Sequence, residues 1–158
     1  MTQALELAVN EVKKAWRRGQ ITLADIGGFS SDELDAAYNA AVQLVTSGQA
    51  GAALQVVGTL LLLNPRAARL YQLAGVALHA LKRYELADGY YRMASAFAPL
   101  DPIAVMYRGE IQLFLGNRKL GFELVRRGIA MASAREEFEI YIQRARAVER
   151  AFLQQKAA

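Results

Sequence analysis

Cysteine is missing from the chain, so neither a disulfide nor a thiolate metal site is possible. That composition is compatible with a reducing compartment. Histidine occurs once, at His79, which excludes any two-histidine metal site. His79 sits between Leu78 and Leu81 with no nucleophile beside it in the local pattern. It therefore reads as a structural or groove-lining residue and not as a catalytic base. The pair Gly27 and Gly28 lacks both the spacing and the lysine of a phosphate-binding loop. Carboxylates are scattered without an acid–base pair, so an enzyme is not expected, nor is any cofactor or metal. Long apolar runs are absent too. The longest covers residues 56–63, broken by Gly58 and Thr59, whereas a bilayer span needs roughly 20 residues. The first residues lack the basic start and apolar core of a signal peptide. A cytoplasmic protein with no stable membrane association is expected.

A strong excess of one charge is also lacking. The net charge is +4, from 19 basic and 15 acidic residues. Basic residues gather at Lys13, Lys14, Arg17 and Arg18 and again at Arg144, Arg146 and Arg150, but acidic residues are interleaved along the chain and Trp16 is the single aromatic within these runs. Solvated helix faces, not nucleic-acid binding, fit that pattern. Proline is scarce, with only Pro65, Pro99 and Pro102, each at or near an expected helix boundary.

What the chain has is helix formers and a period. Apolar residues make up 54% of 158, with abundant Ala, Leu, Arg, Glu and Gln, which indicates one all-α domain or a short repeat array. Pro65 and Pro99 stand 34 residues apart, and each closes an apolar segment. Ala41, Gly75 and Gly109 form a second series at that interval, and Ala53, Ala87 and Gly121 a third. Within residues 69–78 the order Tyr71, Ala74, Gly75, Val76 gives an aromatic, a small residue, glycine and a large apolar residue. Tyr84, Ala87, Tyr91 and Pro99 follow as a second helix. The pattern resembles the tetratricopeptide repeat. Small residues at these places let paired helices cross closely, where overpacking costs about 1–3 kcal/mol.

In chain order, the spacing of Leu5, Ala8, Val12 and Trp16 predicts an amphipathic helix over residues 3–18. Trp16, the only tryptophan, either packs on the repeat body or anchors a self-association surface. Residues 19–30 read as a connector interrupted by Gly27 and Gly28, with Ile21, Leu23, Ile26 and Phe29 pinned to the body. Ser30 and Glu33 form a capping box. Three helix pairs are expected next, over residues 32–47 and 50–63, 66–81 and 84–98, and 102–115 and 118–132. Gly48 and Gly116 suit the left-handed residue that ends a helix, whereas the second pair has Lys82 in that place. In the third pair Arg108 replaces the small residue seen at Ala40 and Ala74, and either points outward or loosens the packing, with Gly121 and Gly128 loosening it further. A second capping box at Ser133 and Glu136 opens a closing helix that runs to residue 154. The expected organisation is an N-terminal helix and connector over 1–30, three repeats over 31–133, and a capping helix with a frayed tail over 134–158.

Such an array makes a superhelix whose inner surface is lined by the first helix of each pair. Repeats starting at Leu34, Ala68 and Pro102 place Asp35, Tyr38, Val42 and Val45, then Arg69, Gln72, Val76 and His79, then Ile103, Met106, Glu110 and Leu113 inward. This mixed, mainly apolar surface suits an extended peptide held partly by its backbone. A lysine and asparagine clamp for an acidic chain terminus is not formed by Tyr38, Val42, Leu73, Ile103 and Tyr107.

The whole layout resembles the class II chaperones of bacterial type III secretion, cytosolic proteins that hold translocator subunits before export. The resemblance rests on residues 20–26, the run Ser31, Asp32, Glu33, Leu34, Asp35, Ala36, Ala37, Tyr38 with Ser47 and Gly48, and residues 69–75 with Tyr84, Glu85, Leu86 and Ala87. It implies a pore-forming translocator as partner, bound through a short segment of the form proline-x-leucine-x-x-proline. The implied groove comprises Tyr38, Val42, Val45, Arg69, Gln72, Val76, His79, Met106, Glu110 and Leu113. It further implies a homodimer through the N-terminal helix, giving Leu5, Val12 and Trp16 a dimerisation role, and no nucleotide or metal. Val42 and Val45 stand where aromatic residues are common in relatives. The basic balance, where relatives are usually acidic, points to an acidic client segment. The alternative is a tetratricopeptide-repeat adaptor that joins folded partners without a secretion role.

Overall fold

The computed structural model describes residues 3–133 and 135–154 and is all-α over them. Helix α1, Gln3–Arg17, carries an apolar stripe, yet among the described residues it makes little contact with the other helices. Its tether is the Gly19 carbonyl, which accepts from Arg66 Nη1 at 3.4 Å. The connector is more ordered than the paired glycines suggested. Thr22 and Asp25 cap each other's backbone and start a short helix α2, Leu23–Gly27, which Gly28 ends at φ +71°. Asp25 in place of the usual Glu or Gln hides this box from a pattern search. Of the connector, only Ala24 is buried, while Leu23, Ile26 and Phe29 remain exposed.

Three helix pairs follow: α3, Ser31–Thr46, with α4, Ala50–Leu63; α5, Ala68–Ala80, with α6, Tyr84–Phe97; and α7, Pro102–Phe114, with α8, Arg118–Ala132. Each helix packs on the next in chain order, and each first helix also meets neighbouring pairs. The expected Ser30–Glu33 capping box starts α3, with the Ser30 N–H donating to Glu33 Oε2 at 2.9 Å. Asp101 caps α7 by accepting from the Ile103 N–H at 2.8 Å, and Pro102 fills the first helical position, where an N–H is not needed. The three intra-pair turns close identically. Gly48, Lys82 and Gly116 have φ of +80°, +57° and +81°.

The small-residue series sits where the helices cross. Ala41, Ala53 and Ala87 are fully buried, and a Cβ on Gly75 would stand 2.6 Å from Tyr91 Cε1. In the third pair a Cβ on Gly109 would meet the Val125 backbone nitrogen at 2.6 Å, and one on Gly128 would meet Met106 Cγ at 2.4 Å. The glycines therefore tighten this pair; the expected loosening is corrected. Arg108 points to α6, where its Nε donates to Asp88 Oδ1 at 2.8 Å. The same oxygen accepts from Gln112 Nε2 at 2.9 Å, and Asn117 donates to Gln112, so the half-buried guanidinium joins α6 to α7.

The last helix, α9, Glu139–Gln154, follows a 3-10 turn at Glu136–Phe138. The capping box expected at Ser133 is not formed. The Ser133 hydroxyl donates back to the Ile129 carbonyl at 2.9 Å, and the turn starts at Arg135 without a side-chain cap. Residue 134 of that box lies outside the described residues. α9 packs on α7 and α8, burying Ile142 and Ala145 with Met106, Leu113 and Val125. No described helix is long and apolar enough to cross a membrane.

Candidate functional site

The first helices of the three pairs line one side of the array, and α9 stands beside α7 as a further helix of that row. The repeat period shows this directly. Arg69 on α5 pairs with Asp35 on α3, 34 residues earlier, and Arg144 on α9 pairs with Glu110 on α7 across the same interval. Tyr107 and Tyr141, also one period apart, meet edge to face at 6.3 Å between ring centres. The inner surface is thus walled by α3 at one end and α9 at the other, with α5 and α7 between.

At the α3 end Tyr38, Val42 and Val45 are half-buried against the first core cluster. The Arg69 guanidinium lies 4.7 Å from the Tyr38 ring centre while it pairs with Asp35. Burial raises the Tyr38 phenol above its ordinary pKa, the Arg69 charge opposes this, and Tyr141 adds to it from the far wall. Gln72, on the floor, donates to Asp101 Oδ2 at 2.6 Å and so ties α5 to the start of α7. Val76 and His79 continue the floor and border a cleft of about 330 Å³, completed by Ala80, Lys82, Tyr84, Tyr107 and Arg144.

His79 is the hub of this end. Its ring lies edge-on to Tyr84 and Phe114, at 5.7 and 5.4 Å, while Tyr84 and Phe114 stack at 5.1 Å. Its Nε2 stands 3.8 Å from Glu110 Oε1, an oxygen already held by Arg144 Nη2 at 2.9 Å. Burial pushes the imidazole below the ordinary histidine value, Glu110 opposes the shift and Arg144 adds to it. The ring is therefore neutral at physiological pH. Arg144 lies 5.1 Å from the Tyr107 ring centre, and Tyr107 in turn stacks on Tyr91 at 5.5 Å. Tyr91 is fully buried, and its hydroxyl has no hydrogen-bond partner among the described residues.

The third-repeat positions differ from an open groove. Met106, Glu110 and Leu113 are only 4%, 6% and 2% exposed. Met106 and Leu113 fill the space that Gly128 and Gly121 leave on α8, and α9 closes them from the other side. The accessible surface there comes from Tyr107, Tyr141 and Arg144, the last two of which lie on the expected capping helix. The signal was present in the period, since Arg144 occupies the position equivalent to Glu110 one repeat on. In α1, Val12 and Trp16 are 45% and 51% exposed. The side chain of Leu5 lies outside the described residues.

No protein-family model and no curated protein matches the sequence. Solved structures do match the fold. A type III secretion system complex from Aeromonas hydrophila aligns with a TM-score of 0.81 at 21% identity, over 93% of this chain and 98% of that one. The Yersinia enterocolitica type III secretion translocator chaperone SycD gives 0.77 at 22% identity, over 82% and 97%. PcrH of Pseudomonas aeruginosa, in complex with the chaperone-binding region of PopD, gives 0.73 at 24% identity, over 82% and 97%. The chain shares the all-α, tetratricopeptide-like fold of these proteins.

Proposed function

We propose that this protein is a type III secretion chaperone that holds an extended segment of a translocator in the groove between α3 and α9. The observation that carries the reading is the groove itself: an inner surface of half-buried apolar and aromatic side chains, in a fold shared with a chaperone crystallised with its client's binding region. Tyr38, Val42, Val45 and Val76 offer shallow apolar contacts for a proline-x-leucine-x-x-proline segment, with Tyr107 and Tyr141 facing them from the other wall. Arg69, Gln72 and His79 supply polar edges. Met106, Glu110 and Leu113 act from beneath by holding α9 in place. An unfolded translocator exposes membrane-inserting apolar stretches that aggregate in water, and sequestering one extended segment keeps the client soluble for export. The chemistry needs no nucleotide or metal.

The exposed apolar face of α1, with Val12 and Trp16 at its C-terminal half, suits pairing with the same helix of a second copy. The deciding experiment is co-expression with a membrane-active translocator. A soluble complex whose binding maps to a proline- and leucine-containing segment supports the reading. Recovery of only folded, soluble partners, with the translocator still insoluble, favours an adaptor instead.

A further inference from the structure

The three intra-pair turns are superimposable in conformation but not in residue. At Gly48 and Gly116 the left-handed backbone is free of strain, whereas Lys82 adopts φ +57° with a full side chain. The turn itself does not require lysine. The N–H groups of Lys82 and Arg83 donate to the carbonyls of His79 and Leu78 at 2.9 and 2.8 Å, and glycine supports the same pair of bonds in the other turns. Strain of this kind persists where the side chain has a use.

Lys82 borders the cleft formed with Val76, His79, Ala80, Tyr84, Tyr107 and Arg144, and is exposed. None of these seven residues is acidic. Glu110, the carboxylate behind them, is buried and committed to Arg144, with His79 beside it. Lys82 itself makes no ion pair among the described residues. The cleft therefore presents one unneutralised ammonium and a half-exposed guanidinium against two tyrosine rings, an environment that favours an anion joined to an apolar stem.

Resting on the client-binding reading above, we propose that this cleft takes an aspartate or glutamate side chain of the client segment, with Lys82 as its ionic partner. The cleft thereby fixes the register of the extended peptide: apolar side chains lie toward α3, and the acidic one lies at the turn end of α5. Recognition is of a side-chain carboxylate within the chain, in keeping with the missing clamp for a chain terminus.

The test uses the full chain and synthetic proline-x-leucine-x-x-proline peptides in which Glu is stepped through each variable and flanking position, against a parallel Gln series. One Glu position is expected to bind about two- to fivefold tighter than its Gln counterpart, with the advantage shrinking in high salt. In Lys82→Gly that advantage disappears while Tm rises by about 2–4 °C, because the turn strain is relieved. A loss of binding with a gain in stability separates recognition from a merely structural role. Lys82→Glu should shift the preference to a Lys-bearing peptide at the same position. Equal binding of the Glu and Gln series, or a Glu preference that survives Lys82→Gly, overturns this inference alone. Failure of every peptide to bind overturns the client-binding reading and this inference with it.

Discussion

Arg144 of α9 stands one repeat period beyond Glu110 of α7 and grips it twice, with Nη2 2.9 Å from Oε1 and Nε 3.2 Å from Oε2. The geometry makes α9 a lone first helix of a fourth repeat, packed on α7 much as α5 packs on α3. Its stability contribution is asymmetric, because Glu110 is buried while Arg144 is half-exposed. Arg144→Ala leaves a buried carboxylate with His79 as its one remaining ion-pair neighbour among the described residues and is expected to cost about 1–3 kcal/mol. Hydrogen exchange should then quicken over residues 139–154. An exchange pattern in α9 identical to that of the parent would show that the pair does not hold the helix.

His79 gives the fold a pH dependence whose sign follows from its burial. The folded state holds the imidazole below the ordinary value of 6.5, whereas the unfolded chain takes up a proton near that value. The unfolded state therefore binds more protons just below pH 6.5, and stability is lost as pH falls through that window. One proton limits the slope to about 1.4 kcal/mol per pH unit. His79→Phe keeps an aromatic ring against Tyr84 and Phe114 and removes the titration. The stability difference between parent and variant should be flat above pH 7 and change below it. A difference that is flat down to pH 5 would falsify this assignment.

The glycines separate into two classes with opposite expected effects. At Gly109 an added Cβ meets backbone, the Val125 nitrogen at 2.6 Å and the Gly121 carbonyl oxygen at 2.9 Å, so the helices themselves must move. Gly109→Ala should destabilise by about 2–4 kcal/mol, at or above the usual overpacking range. Gly51, Gly58 and Gly89 lie within helices and meet nothing within 4 Å, so alanine there should stabilise by about 0.5–1 kcal/mol each. Chemical denaturation midpoints of the four variants check the ordering.

Much of this was legible in the residues because the repeat couples sequence to geometry. The boundaries of α4 and α8 follow from the apolar pattern and the preceding turns, and the 34-residue series of Ala41, Gly75 and Gly109 marks the helix crossings. Three features were hidden for physical reasons. The capping box of α2 uses Asp25, a residue equally at home in a turn. The partner of Arg108 lies on α6, 20 residues away, and no local pattern announces such a pairing. The amphipathic face of α9 signalled that something is covered, but its neighbours are set by tertiary packing. The repeat pattern alone therefore points Met106 and Leu113 to an open surface, which α8 and α9 together close.

Dimerisation is tested most cleanly at α1. Val12→Glu with Trp16→Glu places two charges on a face that makes little contact with the body, so folding should be retained while the apparent mass in sedimentation falls to that of a monomer. Trp16 also borders a cleft with Ile21, Pro65 and Arg66. Packing into that cleft would instead show as a lowered Tm without a change of mass. An unaltered dimer would move the interface to another surface.

Tyr38 provides the sharpest test of the groove because its surroundings separate binding from folding. The ring is half-buried at the mouth of the first repeat, beneath the Arg69 guanidinium, and is not among the fully buried side chains of the core. Tyr38→Ala removes an aromatic contact surface on the α3 wall and frees Arg69 to pair with Asp35 alone. Truncation of an aromatic hot spot in an interface costs about 2 kcal/mol or more, so affinity for a proline- and leucine-containing peptide should fall at least about 30-fold. Circular dichroism should report unchanged helicity. Tyr38→Phe should retain most of the affinity, since the ring and not the hydroxyl makes the contact with Arg69. Equal affinity of Tyr38→Ala and the parent in a calorimetric titration would place the client on a different face of the array.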